Sequence, residues 1–167
     1  MTANLTTQFL TFIVDKEKYA LNVSRVREIL EYGNITRIPG METFMKGIIN
    51  LRGEVVPVID LRAKFGLPEN DQTKESSIIV SEIEKEGGFI ITGLLTDSVE
   101  EVIDMDESSI EPAPKIGTTV NSQFIKGMGK HNEDFLIILD PDNLFRDQEI
   151  SNLEQIGKTK SNGKEGD

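Results

Sequence analysis

The sequence predicts an all-β fold with short helices. Most apolar segments are short, rich in Ile, Val and Phe, and bounded by turn residues, which is typical of strands. The charged segment 15–18 and the glycine-containing segment 84–88 suit hairpin turns. No strongly periodic apolar segment of a dozen or more residues separates the strands, so an arrangement of βαβ units is disfavoured.

Short strands account for most of the predicted elements. They are 9–14, 19–23, 48–51, 55–59, 78–83, 89–95 and 135–139. The apolar residues of 23–30 fit either a helical stripe or a short turn followed by a strand. Residues 61–65 follow Asp60 and predict one or two helical turns that end at Gly66.

Part of the sequence occurs twice, 80 residues apart. The repeated features are Phe-x-Lys-Gly at 44–47 and 124–127, a strand with a closing aspartate at 55–60 and 135–140, and Phe65 with Phe145. Segments 23–30 and 96–103 correspond more loosely. The repeat predicts one domain over 8–146 made of two related β units, about 8–75 and 76–146. Because each unit is too small for a large core, we expect the two to pack together and to leave a groove for a partner.

The remaining segment, 147–167, is predicted to be a polar and partly disordered tail. It contains glycine and lysine and has few apolar residues other than Ile150, Leu153 and Ile156. Such a composition offers little surface to bury.

Composition excludes several classes of function. The chain has 18 Lys and Arg against 29 Asp and Glu, a formal net charge of -11, which disfavours nonspecific binding to nucleic acid or to anionic membranes. It has no cysteine, so disulfides, thiolate metal sites and cysteine nucleophiles are excluded. No apolar run approaches the roughly 18 residues of a membrane span, and the start of the chain lacks a secretion signal. A cytoplasmic protein without membrane insertion is expected.

Residues capable of chemistry form no recognisable catalytic or metal-binding motif. His131, the single histidine, lies in a predicted turn, and no Gly-x-Ser-x-Gly sequence is present. The segments that begin at Asp104 and Asp140 lack the sixth-position glycine and twelfth-position glutamate of a calcium loop. Gly-Lys-Thr at 157–159 resembles the end of a phosphate loop, but position 152, where the first glycine of that motif should stand, is Asn. We therefore predict no catalytic residue, no metal and no cofactor.

The segment 97–111 contains seven acids and no basic residue. It predicts a solvated acidic face. A docking surface for a basic partner is the alternative, and added salt would weaken such docking.

The segment 44–62 carries a family resemblance through Asn50-Leu-Arg-Gly53, Pro57-x-x-Asp-Leu61 and then Phe65-Gly66. With further matches over about 8–146, the chain strongly resembles the CheW family. This resemblance implies two intertwined SH3-like barrels of five strands each. It also implies a non-catalytic adaptor that couples the cytoplasmic tips of chemoreceptors, the methyl-accepting chemotaxis proteins, to the histidine kinase CheA. The adaptor would then lie at the inner face of the membrane, within receptor arrays.

The resemblance further implies two sets of contact residues. Those expected to face the receptor are Val26, Glu28, Ile29, Arg52, Gly93, Val99 and Val102. Those expected to face the regulatory domain of the kinase are Gly47, Asn50, Gly53, Val56, Pro57 and Val58. Contacts between CheW-like chains in rings are a third expectation.

The residues themselves add local predictions. Arg52-Gly53 suits a tight turn with positive φ, and we hypothesise an ion pair between Arg52 and Glu28 that shapes the docking surface. Gly47 and Gly93 are predicted to allow close backbone approach. Pro57 predicts an edge strand or a bulge. The apolar run 55–59 predicts one face in the core and the other in an interface.

Two alternatives stay open at this point. The first is a small-molecule-binding or enzymatic double barrel, because any two of the 29 acids could converge in the groove. A buried polar cluster with a shifted carboxylate would favour it, and a groove lined by Val, Ile and one Glu would oppose it. The second is a CheW-like coupling protein of a pathway other than chemotaxis.

Overall fold

This computed structural model describes residues 6–112 and 122–165. The described residues contain ten strands. They are β1 Thr6–Val14, β2 Glu17–Asn22, β3 Val26–Glu31, β4 Met45–Leu51, β5 Glu54–Asp60, β6 Ser77–Lys85, β7 Gly88–Thr96, β8 Ser98–Asp106, β9 Ile125–His131 and β10 Asp134–Leu139. The helices are α1 Leu61–Lys64 and α2 Asp147–Glu165. Four 3₁₀ turns, Val23–Arg25, Glu107–Ser109, Ser122–Phe124 and Pro141–Asn143, complete the described elements. The all-β prediction is confirmed.

The strands form two five-stranded sheets that exchange hairpins between the halves of the chain. Sheet A has the order β8-β1-β2-β10-β9, and sheet B has the order β3-β6-β7-β5-β4. Each sheet therefore combines the first hairpin of one half with the last three strands of the other. The two halves meet at the parallel pairs β2 with β10 and β5 with β7 and at the antiparallel pairs β1 with β8 and β3 with β6. The repeat units 8–75 and 76–146 are thus related along the sequence, but neither forms a sheet by itself.

The exchange makes the core continuous across both halves. The largest apolar cluster takes buried side chains from both, including Phe12, Ile59, Leu94 and Leu139. Smaller clusters fill sheet A around Ile138 and sheet B. Because each half contributes to every sheet, the halves are expected to fold together.

Repeated aromatic residues form ring contacts between the halves. Phe65 stacks on Phe124 with ring centroids 4.7 Å apart, and the equivalent rings of Phe145 and Phe44 lie 6.0 Å apart. Both distances fall in the favourable range for aromatic pairs. The phenylalanines that reveal the repeat in the sequence therefore hold the two halves of the chain together.

The ambiguous segment 23–30 is a turn followed by a strand. The 3₁₀ turn Val23–Arg25 begins at Asn22, whose side chain accepts from the Ser24 N–H, and β3 follows. The predicted helical turn at 61–65 is also present: the Asp60 carboxylate accepts from the Arg62 N–H at 3.0 Å. It ends at Gly66, where φ is +75°, as expected of a glycine C-cap.

Two strands were missed by the sequence reasoning. β8 carries exposed acids between its buried residues, and β9 contains two glycines. Acids and glycine both lower strand propensity. Pairing with β1 and β10, respectively, overrides that local preference.

The segment predicted as a tail forms helix α2 over Asp147–Glu165. The Arg146 N–H donates to Glu149 Oε1 at 2.8 Å, which is half of a capping box. Leu153 is buried in the largest cluster, and α2 packs on β5. The start of the predicted tail is therefore part of the folded domain, and residues 166–167 lie outside the described residues.

Candidate partner-docking surfaces

The tip between β4 and β5 is a tight turn with two positive φ angles. Arg52 has φ of +51° and Gly53 has φ of +88°, as the sequence predicts for a two-residue hairpin turn. The Asn50 side chain accepts from the Gly53 N–H at 2.8 Å. A non-glycine residue in this region costs about 1–2 kcal/mol, so the turn holds Arg52 in a conformation that must be stabilised by its surroundings.

Arg52 and Glu28 form the hypothesised ion pair. The guanidinium donates to both carboxylate oxygens, at 2.7 and 3.1 Å, the two-pronged geometry that Arg suits best. The Arg52 side chain is 72% exposed and that of Glu28 is 27% exposed. The hydrogen bond from Arg52 holds the pKa of Glu28 below its ordinary value, so the carboxylate stays charged at neutral pH.

This ion pair joins the two outer strands of sheet B. Glu28 lies in β3 and Arg52 follows β4, which are the first and last strands in the sheet order. It therefore connects strands that share no backbone ladder, as closure of a curved sheet requires. Ile29 follows Glu28 in β3 and is 45% exposed. Because successive side chains of a strand point to opposite faces, this apolar side chain and the Glu28 carboxylate lie on opposite faces of β3.

Val99 and Val102 of β8, in sheet A, correspond in the repeat to Val26 and Ile29 of β3, in sheet B. Val26 and Val99 are both half-buried against the largest cluster. Val26 is the first residue of β3, and Val99 is the second residue of β8. Ile29 and Val102 lie three residues further on, at 45% and 52% exposure. Gly93 differs because it is buried, so it can shape a surface only through the backbone.

The residues implied to face the kinase are mostly buried. Val56 and Val58 are 1% and 0% exposed, and Pro57 and Gly47 are also buried. Their side chains are therefore unavailable for direct contact, which differs from the prediction. Of this set, Asn50 and Gly53 are exposed.

Pro57 does not mark an edge strand, so that interpretation is wrong. β5 lies inside sheet B, between β7 and β4. Pro57 immediately precedes Val58, the first residue of β5 that pairs with β7. The missing N–H of proline thus falls just before the β7 ladder, and the nearby bulge lies in β4, between Met45 and Gly47.

Gly47 and Gly93 allow close approach, as predicted. A Cβ on Gly47 would lie 2.3 Å from the Thr36 carbonyl oxygen, and one on Gly93 would lie 2.8 Å from Ile78 Cγ2. Gly127, the repeat equivalent of Gly47, is equally close to a carbonyl, at 2.6 Å. These glycines belong to the repeated architecture rather than to one surface.

An apolar groove of about 580 Å³ lies between α2 and sheet B. Its lining is Ile38, Gly40, Met41, Glu42, Ile48, Val55, Asn152, Gln155 and Ile156. Further along the same run, Ile59 is fully buried with Leu153 of α2 in one cluster. The second face of 55–59, predicted to be an interface, is therefore covered largely by the chain itself.

The groove and the buried carboxylates do not form a catalytic arrangement. One acid, Glu42, lines the groove among mainly apolar and amide side chains. Burial raises the pKa of Asp60, but its carboxylate caps α1. Asp106 and Asp140 likewise cap 3₁₀ turns. Among residues 6–112 and 122–165, no group of three or more His, Cys, Asp or Glu could hold a metal ion.

The predicted acidic face lies on β8, at an edge of sheet A. Glu100, Glu101, Asp104 and Asp106 are exposed there. Lys18 approaches Glu100 at 3.6 Å and Asp134 at 2.9 Å. The face is thus largely solvated, with one lysine at its side.

The structure thus presents two sheets that exchange hairpins and an exposed ion pair at the β4–β5 turn. A family model described as CheW-like domain matches residues 8–149, and the chain belongs to this family. It is a non-catalytic scaffold protein of the chemotaxis coupling class. No helix of the described residues is long and apolar enough to cross a membrane.

Relatives are similar over most of their length. The chain is 37% identical to the chemotaxis protein CheW of Bacillus subtilis, over 90% of this chain and 95% of the relative. It is 32% identical to the chemotaxis protein CheW of Klebsiella aerogenes, over 91% and 89%. The solved structure of the scaffolding protein TtCheW from Thermoanaerobacter tengcongensis has a TM-score of 0.76 at 38% identity, covering 85% of this chain and 94% of that one.

Proposed function

We propose that this chain couples chemoreceptor cytoplasmic tips to the histidine kinase CheA within arrays at the inner face of the membrane. The receptor tip would bind along β3, at the Arg52–Glu28 pair and at Ile29, with the matching apolar residues Val99 and Val102 of sheet A taking part. The regulatory domain of the kinase would bind near the β4–β5 turn. Contacts with further copies of the chain would extend the array.

The observation that carries the proposal is that the outer strand β3 presents a fixed charge pair through Glu28 and an exposed apolar side chain at the next residue, Ile29. Glu28 and Arg52 orient each other through two hydrogen bonds, and Ile29 is 45% exposed. An apolar anchor with oriented charges gives both affinity and register. Each contact is expected to be weak, with the array supplying avidity.

Co-sedimentation tests the proposal. A receptor cytoplasmic fragment and CheA are sedimented with and without this chain, and kinase activity is measured. We expect the chain to sediment with the receptor and to raise kinase activity. Binding to neither protein would rule the proposal out.

Charge reversal tests the surface. R52E and E28R should each weaken receptor binding, and the double variant should partly restore it. The control is R27E/E82R, because Arg27 and Glu82 form another ion pair that starts from β3, joined by one hydrogen bond at 2.8 Å. Additive losses in the double variant, or an equal loss in the control, would remove Arg52 and Glu28 from the docking surface.

A further inference from the structure

Arg62, at the start of α1, ties the two halves of the chain together. Its Nε and Nη2 donate to the Asp97 carboxylate at 2.9 and 2.7 Å, and its Nη1 lies 3.4 Å from Asp15 in the β1–β2 turn. The Asp15 N–H also donates to Asp97, at 2.8 Å. The Arg62 side chain is only 12% exposed. We call Arg62, Asp97 and Asp15 clasp 1.

A second set, Asp142, Arg25 and Glu84, makes the same connections elsewhere. Arg25 donates through both terminal nitrogens to Asp142 and lies 3.2 Å from Glu84, in the β6–β7 hairpin. The Glu84 N–H donates to Asp142 at 2.7 Å. We call this set clasp 2.

The clasps occupy equivalent places in the two halves. Arg62 stands two residues after the capping Asp60, at the end of the last strand of the first half. Asp142, 80 residues later, stands two residues after the capping Asp140 of the second half. Asp15 and Glu84 belong to equivalent first hairpins. In each clasp a backbone N–H of the hairpin donates to a carboxylate that also accepts hydrogen bonds from the arginine.

The two clasps have opposite charge polarity. In clasp 1 the residue after the last strand is Arg62, and the residue linking two strands is Asp97. In clasp 2 the residue after the last strand is Asp142, and the linking residue is Arg25. Arg25 stands one residue beyond Ser24, the strict equivalent of Asp97 in the repeat.

This polarity distinguishes correct from incorrect pairing of halves. Because both halves consist of a hairpin followed by three strands, two first halves from different copies could exchange hairpins in the same manner. Arg62 of one copy would then face Arg25 of the other. Two second halves would bring Asp142 against Asp97. Like charges in these partly buried places would oppose both pairings.

We propose that the opposed clasps make half-to-half pairing specific, favouring a first half with a second half and disfavouring two like halves from separate copies. The device acts during folding, when hairpin exchange is still undecided and copies can mis-pair. It concerns how the chain reaches its fold and is independent of the chemotaxis proposal.

The test equalises the polarity while keeping the ion pairs within one chain. R62D/D97S/S98R places the side chains of clasp 2 at clasp 1. A carboxylate at position 62 can then accept the Asp15 N–H, as Asp142 accepts the Glu84 N–H. With both clasps alike, pairing of two first halves no longer brings like charges together.

A reciprocal variant and a combined variant serve as matched controls. S24D/R25S/D142R places the side chains of clasp 1 at clasp 2, which also equalises polarity. Combining all six substitutions exchanges the two clasps and makes their polarities opposite again. Polarity therefore changes independently of the number of substitutions.

Incorrect pairing is detected with a disulfide between copies. Continuing the β2–β10 register by two residues places Glu17 beside Phe135 in the native fold. If two first halves paired, Glu17 of one copy would lie beside Val55 of the other, since Val55 is the repeat equivalent of Phe135. E17C and V55C are placed on separate chains of each background, which has no native cysteine.

The two cysteine versions are mixed in urea, refolded together at high concentration, oxidised and separated on a nonreducing gel. Relief of the like-charge contacts should raise the mixed disulfide about tenfold or more in either three-substitution variant. The six-substitution variant should return to the original level.

Equal yields in all four backgrounds would overturn the proposal, as would a rise that persists with six substitutions. If one three-substitution variant does not fold by circular dichroism, its reciprocal carries the test. Failure of both to fold would also count against it, because the rebuilt ion pairs are expected to support the single-chain fold.

Discussion

Lys64 and Glu149 form a buried ion pair that fastens α2 to the rest of the molecule. Lys64 Nζ lies 2.7 Å from Glu149 Oε1, and the two side chains are 12% and 4% exposed. The ammonium also lies 4.4 Å from the ring centre of Phe44 and 5.1 Å from that of Phe145. The pair thus joins α1, α2 and one of the two repeated aromatic contacts.

Removing one partner of this pair should destabilise the fold strongly. K64M leaves the buried Glu149 carboxylate with only the exposed Arg146 guanidinium, 3.4 Å away, as a cationic partner, and breaking a buried pair costs roughly 3–5 kcal/mol. K64M/E149L removes both charges and should recover part of the loss. Urea unfolding followed by circular dichroism measures both variants, and a double variant no more stable than K64M would contradict this account.

The same pair should contribute to acid sensitivity. Burial raises the pKa of Glu149, but hydrogen bonds from Lys64 and the Arg146 N–H outweigh that effect, so the pKa is lowered overall. A depressed folded-state pKa adds stability that is fully present above the unfolded value, about 4.3, and is lost as pH falls through the folded value.

E149Q tests this dependence. Its stability deficit relative to the original chain should shrink as pH is lowered from 7 to 3, because the original carboxylate then becomes protonated. E31Q, at an exposed position on β3, is the control and should follow the original chain. A deficit for E149Q that stays constant with pH would show that the charge of Glu149 contributes nothing.

Gly47→Ala should destabilise the protein by at least about 2 kcal/mol. The position has φ of +151°, and the added Cβ would lie 2.3 Å from the Thr36 carbonyl oxygen. Gly33→Ala is the control, since nothing lies within 4 Å of its Cβ position. Thermal unfolding of the two variants measures the effect. Similar melting temperatures for both would contradict the prediction, because they would mean that the β4 backbone can move away from the Thr36 carbonyl at little cost.

Ile29→Ser and Val102→Ser should weaken receptor binding without loss of fold. Both side chains are about half exposed, at 45% and 52%, so little core packing is lost. Phe135→Ser is the matched control, because its side chain is 67% exposed and is not among the residues implied to face the receptor. Titration with a labelled receptor fragment measures each affinity, and equal losses for all three would indicate a nonspecific apolar effect.

Local patterns predicted much of the fold. The β-rich segments, the α1 turn and the Arg52-Gly53 turn follow from alternation, capping residues and a glycine suited to positive φ. The repeat of Phe44 at Phe124 indicated two related units. The family resemblance led to the Arg52–Glu28 pair, whose members are 24 residues apart and have no local signal for contact.

Other features depended on distant segments. Burial of Val56 and Val58 could not be distinguished from an interface, because an apolar run has the same sequence whether another protein or distant segments of its own chain cover it. α2 itself has a weak apolar pattern and docks through Leu153 and the pair of Glu149 with Lys64. Those contacts exist only once the sheets are assembled.

The sequence by itself determined the strand-rich class, the duplication and the turn at Arg52, because these depend on neighbouring residues and on internal similarity. Only the tertiary structure decided that the halves exchange hairpins, that Pro57 lies inside a sheet, and that Arg62–Asp97 and Arg25–Asp142 are opposed in polarity. Strand order and ion pairing are set by contacts between residues far apart in the chain, and single-sequence periodicity carries no information about such partners.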